Sequence, residues 1–371
     1  MMKDKLLLIT TDVNHIPLYY QIYKMFNSTL NISILTNRKI ANRIDSGDRV
    51  SIFIADEISF LKMFSILKNG NHQYIILDEI YGNPITYLPI LLSKSRNIYI
   101  THNIQKHTLT FYRNCRQVVK QLLTMLIFRS FDAHIGVGAN TLKRLIENGK
   151  NGIMIPFNYE YLLSHNKSVK KRCDPKSVKI VIPGRTDMKK RDYSIVMNAL
   201  LRTMAMAPIQ YLQVEIVGKA TDEFLRAYED DIQLINSGQH KRLLFSTTYM
   251  DDYAFNEKLL SADYILENLI QSTDVDSPEL YGISKETGLT FFTDLYRLKL
   301  IYKNDFVLSE FSDFRKIKYS NVEELAKILI QIQRDATEII KKRESKVKQN
   351  EDYICYLNST YQNSIDIVLG T

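Results

Sequence analysis

Short apolar runs that stop abruptly at polar residues, alternating with segments of helical period, constrain this chain more than any other feature. Lys5–Thr11, Ile32–Thr36, Ser51–Ala55, Tyr74–Asp78, Asn97–Asn103, Ala133–Gly138 and Gly152–Pro156 each read as a strand. The first is nearly continuous in Leu and Ile, which marks a strand covered on both faces. Between them, Ile16–Phe26, Ile58–Leu67 and Pro84–Ser93 read as helices. Strand–helix alternation of this kind implies a parallel, doubly wound sheet, whose ligands bind beyond the carboxyl ends of the strands. The polar strand tips at Thr11/Asp12, Asp78/Glu79 and His102/Asn103 are therefore expected on one edge. Each also has the simpler reading of a helix cap or turn residue.

The pattern then breaks and restarts. Residues 166–177 are polar and basic, with one Pro, and read as a linker. Beyond them, Val178–Pro183, Leu212–Gly218, Arg242–Ser246, Ala262–Leu266 and Leu298–Tyr302 read as strands, separated by helices over Arg191–Met206, Thr221–Asn236, Asp251–Ser261 and Leu289–Arg297. The expected organisation is an N-terminal domain over 1–165, the linker, a second α/β domain over 178–340 and a helical tail over 341–371 that could pack across both. A chain of 371 residues fits two domains of this size.

Composition narrows the function classes. A hydrophobic fraction of 45% lets each half bury its own core, and a net charge of +8 favours anionic partners. The basic residues show no stacking-aromatic module, so a nucleic-acid partner is not expected. Cys115, Cys173 and Cys355 form no pair or metal signature, as suits a reducing compartment. No uninterrupted apolar run reaches the ~18 residues of a spanning helix. A cytoplasmic protein is expected. Its one membrane-facing candidate is Phe111–Phe131, which mixes Arg113, Arg116, Lys120 and Arg129 with a dense apolar set. That stretch either lies on an anionic membrane surface, at the inner face of the cell membrane, or is a core helix with basic ends reaching to water.

Two stretches can carry chemistry. In 182–193, a buried strand stops at Gly184, Arg185 follows, and Lys189, Lys190 and Arg191 lead into a helix. Glycine permits close backbone approach, and the basic residues can clamp a diphosphate. The alternative is a turn with a solvated basic helix start. In 277–290, Glu279, Tyr281, Gly282, Ser284, Lys285, Glu286 and Thr287 precede a helix. Such a loop can present N–H groups and hydroxyls to phosphate, and carboxylates to sugar hydroxyls. It can equally be a long loop before a capped helix. Asp274 and Asp276 have no neighbouring His, so no metal or other cofactor is expected.

The order of these features in 178–305 resembles the C-terminal domain of GT-B glycosyltransferases, particularly the large retaining group that makes cell-surface polysaccharides and glycolipids. The Thr-His-Asn strand end and the Phe-Asp-Ala-His-Ile-Gly-Val stretch are also familiar in that group. The resemblance implies two Rossmann-like domains facing a central cleft. It implies that Arg185 and Lys190 contact a donor diphosphate. Glu279 then matches the first acid of a Glu-x7-Glu pattern at the donor sugar. The second acid falls at Thr287, with Glu286 one residue early, so the ribose contact shifts to one of these. Lys285, Ser284, Tyr281 and Gly282 join the phosphate loop. His102 takes the position of a histidine near the donor sugar, where it bonds a hydroxyl or shuttles a proton. The implied activity is transfer of a sugar from a nucleotide-sugar, UDP before GDP, to a saccharide or lipid-linked acceptor, with retention and without metal. Two alternatives remain: a UDP-sugar 2-epimerase of the same fold, and a non-catalytic partner of an active glycosyltransferase, suggested by the departure at Thr287.

Overall fold

The computed structural model describes residues 4–10, 22–23, 25–42, 50–54, 59–80, 82–102, 115–154, 168–170, 176–207, 209–238, 242–250, 252–271, 288–308, 316–343, 346–348 and 350–370. The chain forms two compact units. One holds Met1–Ser164 and Cys355–Thr371, the other His165–Ser272 and Leu289–Ile354.

The first unit is built on seven strands: β1 (Lys5–Thr10), β2 (Asn31–Thr36), β3 (Ser51–Ile54), β4 (Tyr74–Asp78), β5 (Arg96–Thr101), β6 (Ala133–Gly136) and β7 (Gly152–Met154). They lie all parallel in the order β3-β2-β1-β4-β5-β6-β7. Side-chain alternation splits the apolar residues cleanly between two faces. Leu6, Leu8, Ile34, Ile76, Ile98, Ile100 and Ile135 join one core, with Ile22, Met25 and Phe26 packed over them. Leu7, Ile9, Leu35, Ile75, Leu77 and Tyr99 join the other. Burial of each such side chain contributes roughly 1.5–3 kcal/mol. The helices of this unit are α1 (Arg38–Ala41), α2 (Phe60–Gly70), α3 (Leu88–Leu91), α4 (Cys115–Arg129) and α5 (Ala139–Glu147). The helix expected over Pro84–Ser93 divides into a 3-10 turn over Pro84–Tyr87, capped by Asn83, and the short α3. Pro89 at the start of α3 has no N–H to continue the hydrogen-bond ladder.

The second unit has a short antiparallel pair, β8 (Ser168–Lys170), and a six-stranded parallel sheet: β9 (Val178–Pro183), β10 (Leu212–Lys219), β11 (Leu243–Ser246), β12 (Tyr264–Leu266), β13 (Lys299–Lys303) and β14 (Lys316–Tyr319). The sheet order is β11-β10-β9-β12-β13-β14. β8 pairs with β15 (Lys346–Lys348), so a strand lies inside the stretch expected to be a linker. Its helices are α6 (Tyr193–Met206), α7 (Asp222–Ala227), α8 (Glu229–Ile235), α9 (Asp252–Leu260), α10 (Gly288–Tyr296), α11 (Val322–Arg334) and α12 (Ala336–Lys341). The last helix, α13 (Glu351–Leu369), completes the chain. One core gathers Ile180 and Ile182 of β9, Val214 and Ile216 of β10, Val196 and Leu200 of α6, and Leu325 and Leu329 of α11. The expected helix over Thr221–Asn236 breaks at Tyr228, whose φ of −125° and ψ of 23° leave helical geometry.

Near the amino ends of β9 and β12 the second unit buries an ion network. Lys179 pairs with Glu215, and Lys258 reaches the same carboxylate at 2.8 Å. Burial opposes ionisation of Glu215, but hydrogen bonds from the two lysines hold its pKa below the ordinary value. Arg343, just past α12, donates to both oxygens of Asp263, at 2.9 and 2.6 Å. Asp263 also accepts from the Lys179 N–H at 2.9 Å.

Candidate functional site

Both sheets run 3-2-1-4 around their first strand, so each has a topological switch point: between β1 and β4 in the first unit, and between β9 and β12 in the second. Ligand crevices of doubly wound sheets open there.

In the first unit, Thr10 ends β1, Asp78 ends β4 and His102 follows β5. Pairing of Thr10 with Asp78, and of Asp78 with Ile100 two residues before His102, puts all three side chains on one face. The Thr10 hydroxyl donates to Asp78 Oδ2 at 2.8 Å, and His102 Nε2 lies 2.8 Å from Asp78 Oδ1. The Asp78 side chain is 3% exposed and that of His102 is 12% exposed. With an Asp78 carboxylate, which only accepts, His102 Nε2 is the donor of this bond. The turn beyond Asp78 is held in place. Glu79 is buried at φ +61°, a left-handed conformation unusual for a side chain without glycine's freedom. The next N–H, of Ile80, donates to the Tyr99 hydroxyl at 3.0 Å. Burial, reinforced by the nearby Glu79 charge, pushes the Tyr99 hydroxyl well above its ordinary pKa, so it stays protonated.

In the second unit, Gly184 closes β9 at φ +100°, and Gly218 sits near the end of β10 at φ +151°. A Cβ on Gly218 would lie 2.5 Å from the Gly184 carbonyl carbon and 2.9 Å from the Arg185 nitrogen. Two backbones therefore cross here at a distance only glycine allows. The crossing is tied by Gly184 N–H to Val217 O at 2.7 Å. Thr186 and Thr221 lock the next step: the Thr221 N–H donates to the Thr186 hydroxyl oxygen at 2.7 Å. Arg185, Lys189 and Lys190 are left on the exposed side of this turn.

The basic triplet does not open the helix as expected. α6 starts at Tyr193, with Asp192 as its cap accepting from the Ile195 N–H at 3.2 Å. Arg191 turns inward instead and donates to Asn268 Oδ1 at 3.1 Å. The Lys190 and Asp192 backbones clip to Ile270 and Asn268 at 2.9 and 2.8 Å. These contacts pin the Gly184–Lys190 turn to the carboxyl end of β12. There Glu267, almost fully buried, accepts from the N–H groups of Leu269 and of Lys303, the latter at 3.4 Å. Burial pushes the Glu267 carboxyl up to about 7, against the pull of those N–H groups and of Arg191.

Of the residues singled out from the sequence, His102, Gly184, Arg185 and Lys190 stand at the carboxyl ends of their own sheets. Glu279, Tyr281, Gly282, Ser284, Lys285, Glu286 and Thr287 lie outside the described residues, as do Thr11, Asp12, Asn103, Asp274 and Asp276. Asp78, expected on the same edge as His102, stands there and bonds to it. Gly218 was visible as the end of an apolar strand, without its partner. Glu267 carried no local signal. Among the described residues, no group of three or more His, Cys, Asp or Glu could hold a metal ion, and no helix is long and apolar enough to cross a membrane.

No family model matches the chain, and no curated protein matches it. Solved structures do. UDP-GlcNAc 2-epimerase from Neisseria meningitidis, bound to UDP-GlcNAc, superposes with a TM-score of 0.59 at 12% identity, over 99% of this chain and 100% of that one. A glycosyltransferase from Rickettsia africae gives 0.57 at 12%, over 99% and 98%. Anabaena HepE in complex with UDP gives 0.56 at 12%, over 100% and 97%. At such identities the likeness speaks for the fold: two doubly wound α/β units of the GT-B kind.

Proposed function

We propose that this chain is a glycosyltransferase that moves a sugar from a nucleotide-diphosphate donor, UDP rather than GDP, to a saccharide or lipid-linked acceptor in cell-surface polysaccharide synthesis. The observation that carries the reading is the glycine-crossed turn at the second switch point. There the Gly184 and Gly218 backbones meet at a distance only glycine allows, the Arg191 guanidinium packs over Gly184, and Arg185 and Lys190 stay exposed beside it. Basic side chains so placed offset the charge on a departing diphosphate, so the reaction needs no metal or other cofactor. Glu279 serves the donor sugar hydroxyls, and Glu286 or Thr287 the ribose. Tyr281, Gly282, Ser284 and Lys285 complete the phosphate loop. His102, oriented by Asp78, binds a sugar hydroxyl or moves its proton. Transfer proceeds with retention, in the cytoplasm or at the inner face of the membrane, and without a nucleic-acid partner.

The test is a thermal-shift screen across UDP, GDP, CDP and their sugars, followed by product analysis. UDP is expected to raise the melting temperature, and Arg185→Ala to remove most of that rise. If neither UDP nor GDP stabilises the chain at millimolar concentration, the enzyme reading gives way to a non-catalytic partner. A second reading, a UDP-sugar 2-epimerase, draws on the likeness to the Neisseria enzyme. Incubation with the donor alone separates the two: an epimerised sugar without acceptor supports the epimerase.

A further inference from the structure

One cation of the second switch point forms no ion pair among the described residues. Arg191 is partly buried, and its guanidinium lies over Gly184, where a Cβ would stand 3.0 Å from Cζ and closer still to Nη2. The glycine makes the room that the guanidinium fills. Among the described residues its one side-chain hydrogen bond runs to Asn268 Oδ1, at 3.1 Å. That neutral amide uses a single donor of a planar fork that carries five. Asp192, next in the chain, is turned away to Lys303 Nζ at 3.6 Å.

The acid whose charge acts on Arg191 is Glu267, one residue before Asn268. Its side chain accepts from the N–H groups of Leu269 and Lys303, and the residue is 1% exposed. The charged and titratable groups around it come from the three strands beyond and beside β12. Arg191 follows β9, Lys303 ends β13 with Asp305 just past it, and Tyr319 of β14 donates to the Glu267 carbonyl at 2.8 Å. Burial outweighs the pull of the two N–H groups and of Arg191, and Asp305 adds to it, so the carboxyl titrates at about 7. While Glu267 is neutral, the charge of Arg191 is available to a ligand anion. Once Glu267 ionises, its negative charge offsets that of Arg191 and repels the anion.

We propose that Arg191 grips the donor diphosphate at the second switch point, and that Glu267 sets the strength of the grip by being neutral or charged. The identity of the anion rests on the nucleotide-sugar reading above; the cation and its switch do not.

The experiment titrates inorganic pyrophosphate and UDP calorimetrically into the full chain between pH 6 and pH 8.5. Wild type and variants are compared with the same ligand, so ionisation of the ligand itself drops out. Over this range the affinity of the wild type should fall about tenfold further than that of Glu267→Gln. Arg191→Gln should weaken binding about tenfold at pH 6 and remove most of the extra pH dependence. Arg191→Lys, which keeps the charge without the fork, should lie between. A loss from disturbed packing alone would be the same at every pH. Unchanged affinity of Arg191→Gln at pH 6 would overturn the proposal, as would equal pH profiles for wild type and Glu267→Gln. Pyrophosphate binding in the expected pattern, with UDP no tighter, keeps the anion grip and ends the nucleotide reading. UDP binding without a Glu267-dependent profile does the reverse. Silence of both anions refutes both.

Discussion

Glu267 gives the most quantitative test of the second unit. Its carboxyl ends the central strand β12, and its two oxygens hold the N–H groups of Leu269 and Lys303. The Tyr319 hydroxyl donates to its carbonyl at 2.8 Å. Burial raises its pKa from the ordinary 4.5 to about 7. Each tenfold change in proton affinity corresponds to about 1.4 kcal/mol, so ionising Glu267 in the folded state costs on the order of 3 kcal/mol more than in the unfolded chain. Between these two values the folded protein keeps a proton that the unfolded chain has released. Its contribution to stability is therefore complete below about pH 4.5, is lost as pH rises toward 7, and stays lost above. Glu267→Gln removes the titration with little change of volume, but its amide nitrogen cannot accept from the Lys303 N–H as a hydroxyl oxygen can. That loss is the same at every pH, so the test is how the gap between the two proteins moves with pH. From about pH 4.5 to about pH 8.5 the gap should move in the variant's favour by up to about 3 kcal/mol. Urea unfolding followed by circular dichroism across that range measures the difference. A gap between the two proteins that does not change with pH would refute the assignment.

Other outcomes follow from single contacts. Gly218→Ala drives a methyl to within 2.5 Å of the Gly184 backbone, so the Gly184–Lys190 turn must shift. UDP affinity, read by calorimetry, should fall at least about tenfold, with a stability loss of roughly 1–3 kcal/mol. Asp78→Asn leaves one acceptor oxygen where Thr10 and His102 now have one each, so the His102 ring loses its fixed partner. Turnover in a radiolabelled-donor assay should drop by about a hundredfold or more, with UDP affinity unchanged. Arg343→Met leaves the buried Asp263 carboxylate without its bidentate partner. A destabilisation of about 3–5 kcal/mol is expected in urea unfolding, partly restored by adding Asp263→Asn.

Much of the architecture is legible from local pattern. The apolar runs around Leu6, Ile34, Ile76, Ile98, Ile180 and Val214 become buried parallel strands because burial on both faces leaves a direct signature in residue type. The restart of that pattern at Val178 marks the second sheet. The Gly184–Arg185 turn is legible for the same reason: a glycine ending an apolar strand before a cluster of cations is a local feature. What the sequence could not supply was partnership. Asp78 meets His102 across 24 residues, and Gly184 meets Gly218 across 34, because β4 lies beside β5 and β9 beside β10 in a definite register. Arg191 reads like its exposed neighbours Lys189 and Lys190, yet it turns inward because Asn268, brought beside it by the β9–β12 pairing, offers an acceptor. Glu267 reads as an ordinary surface acid, and only the closure of β12 against β13 buries it. Residue type reports how deeply a position is buried and how the backbone bends there. Which groups then face one another depends on strand order and register, and those are set by the packing of the whole unit.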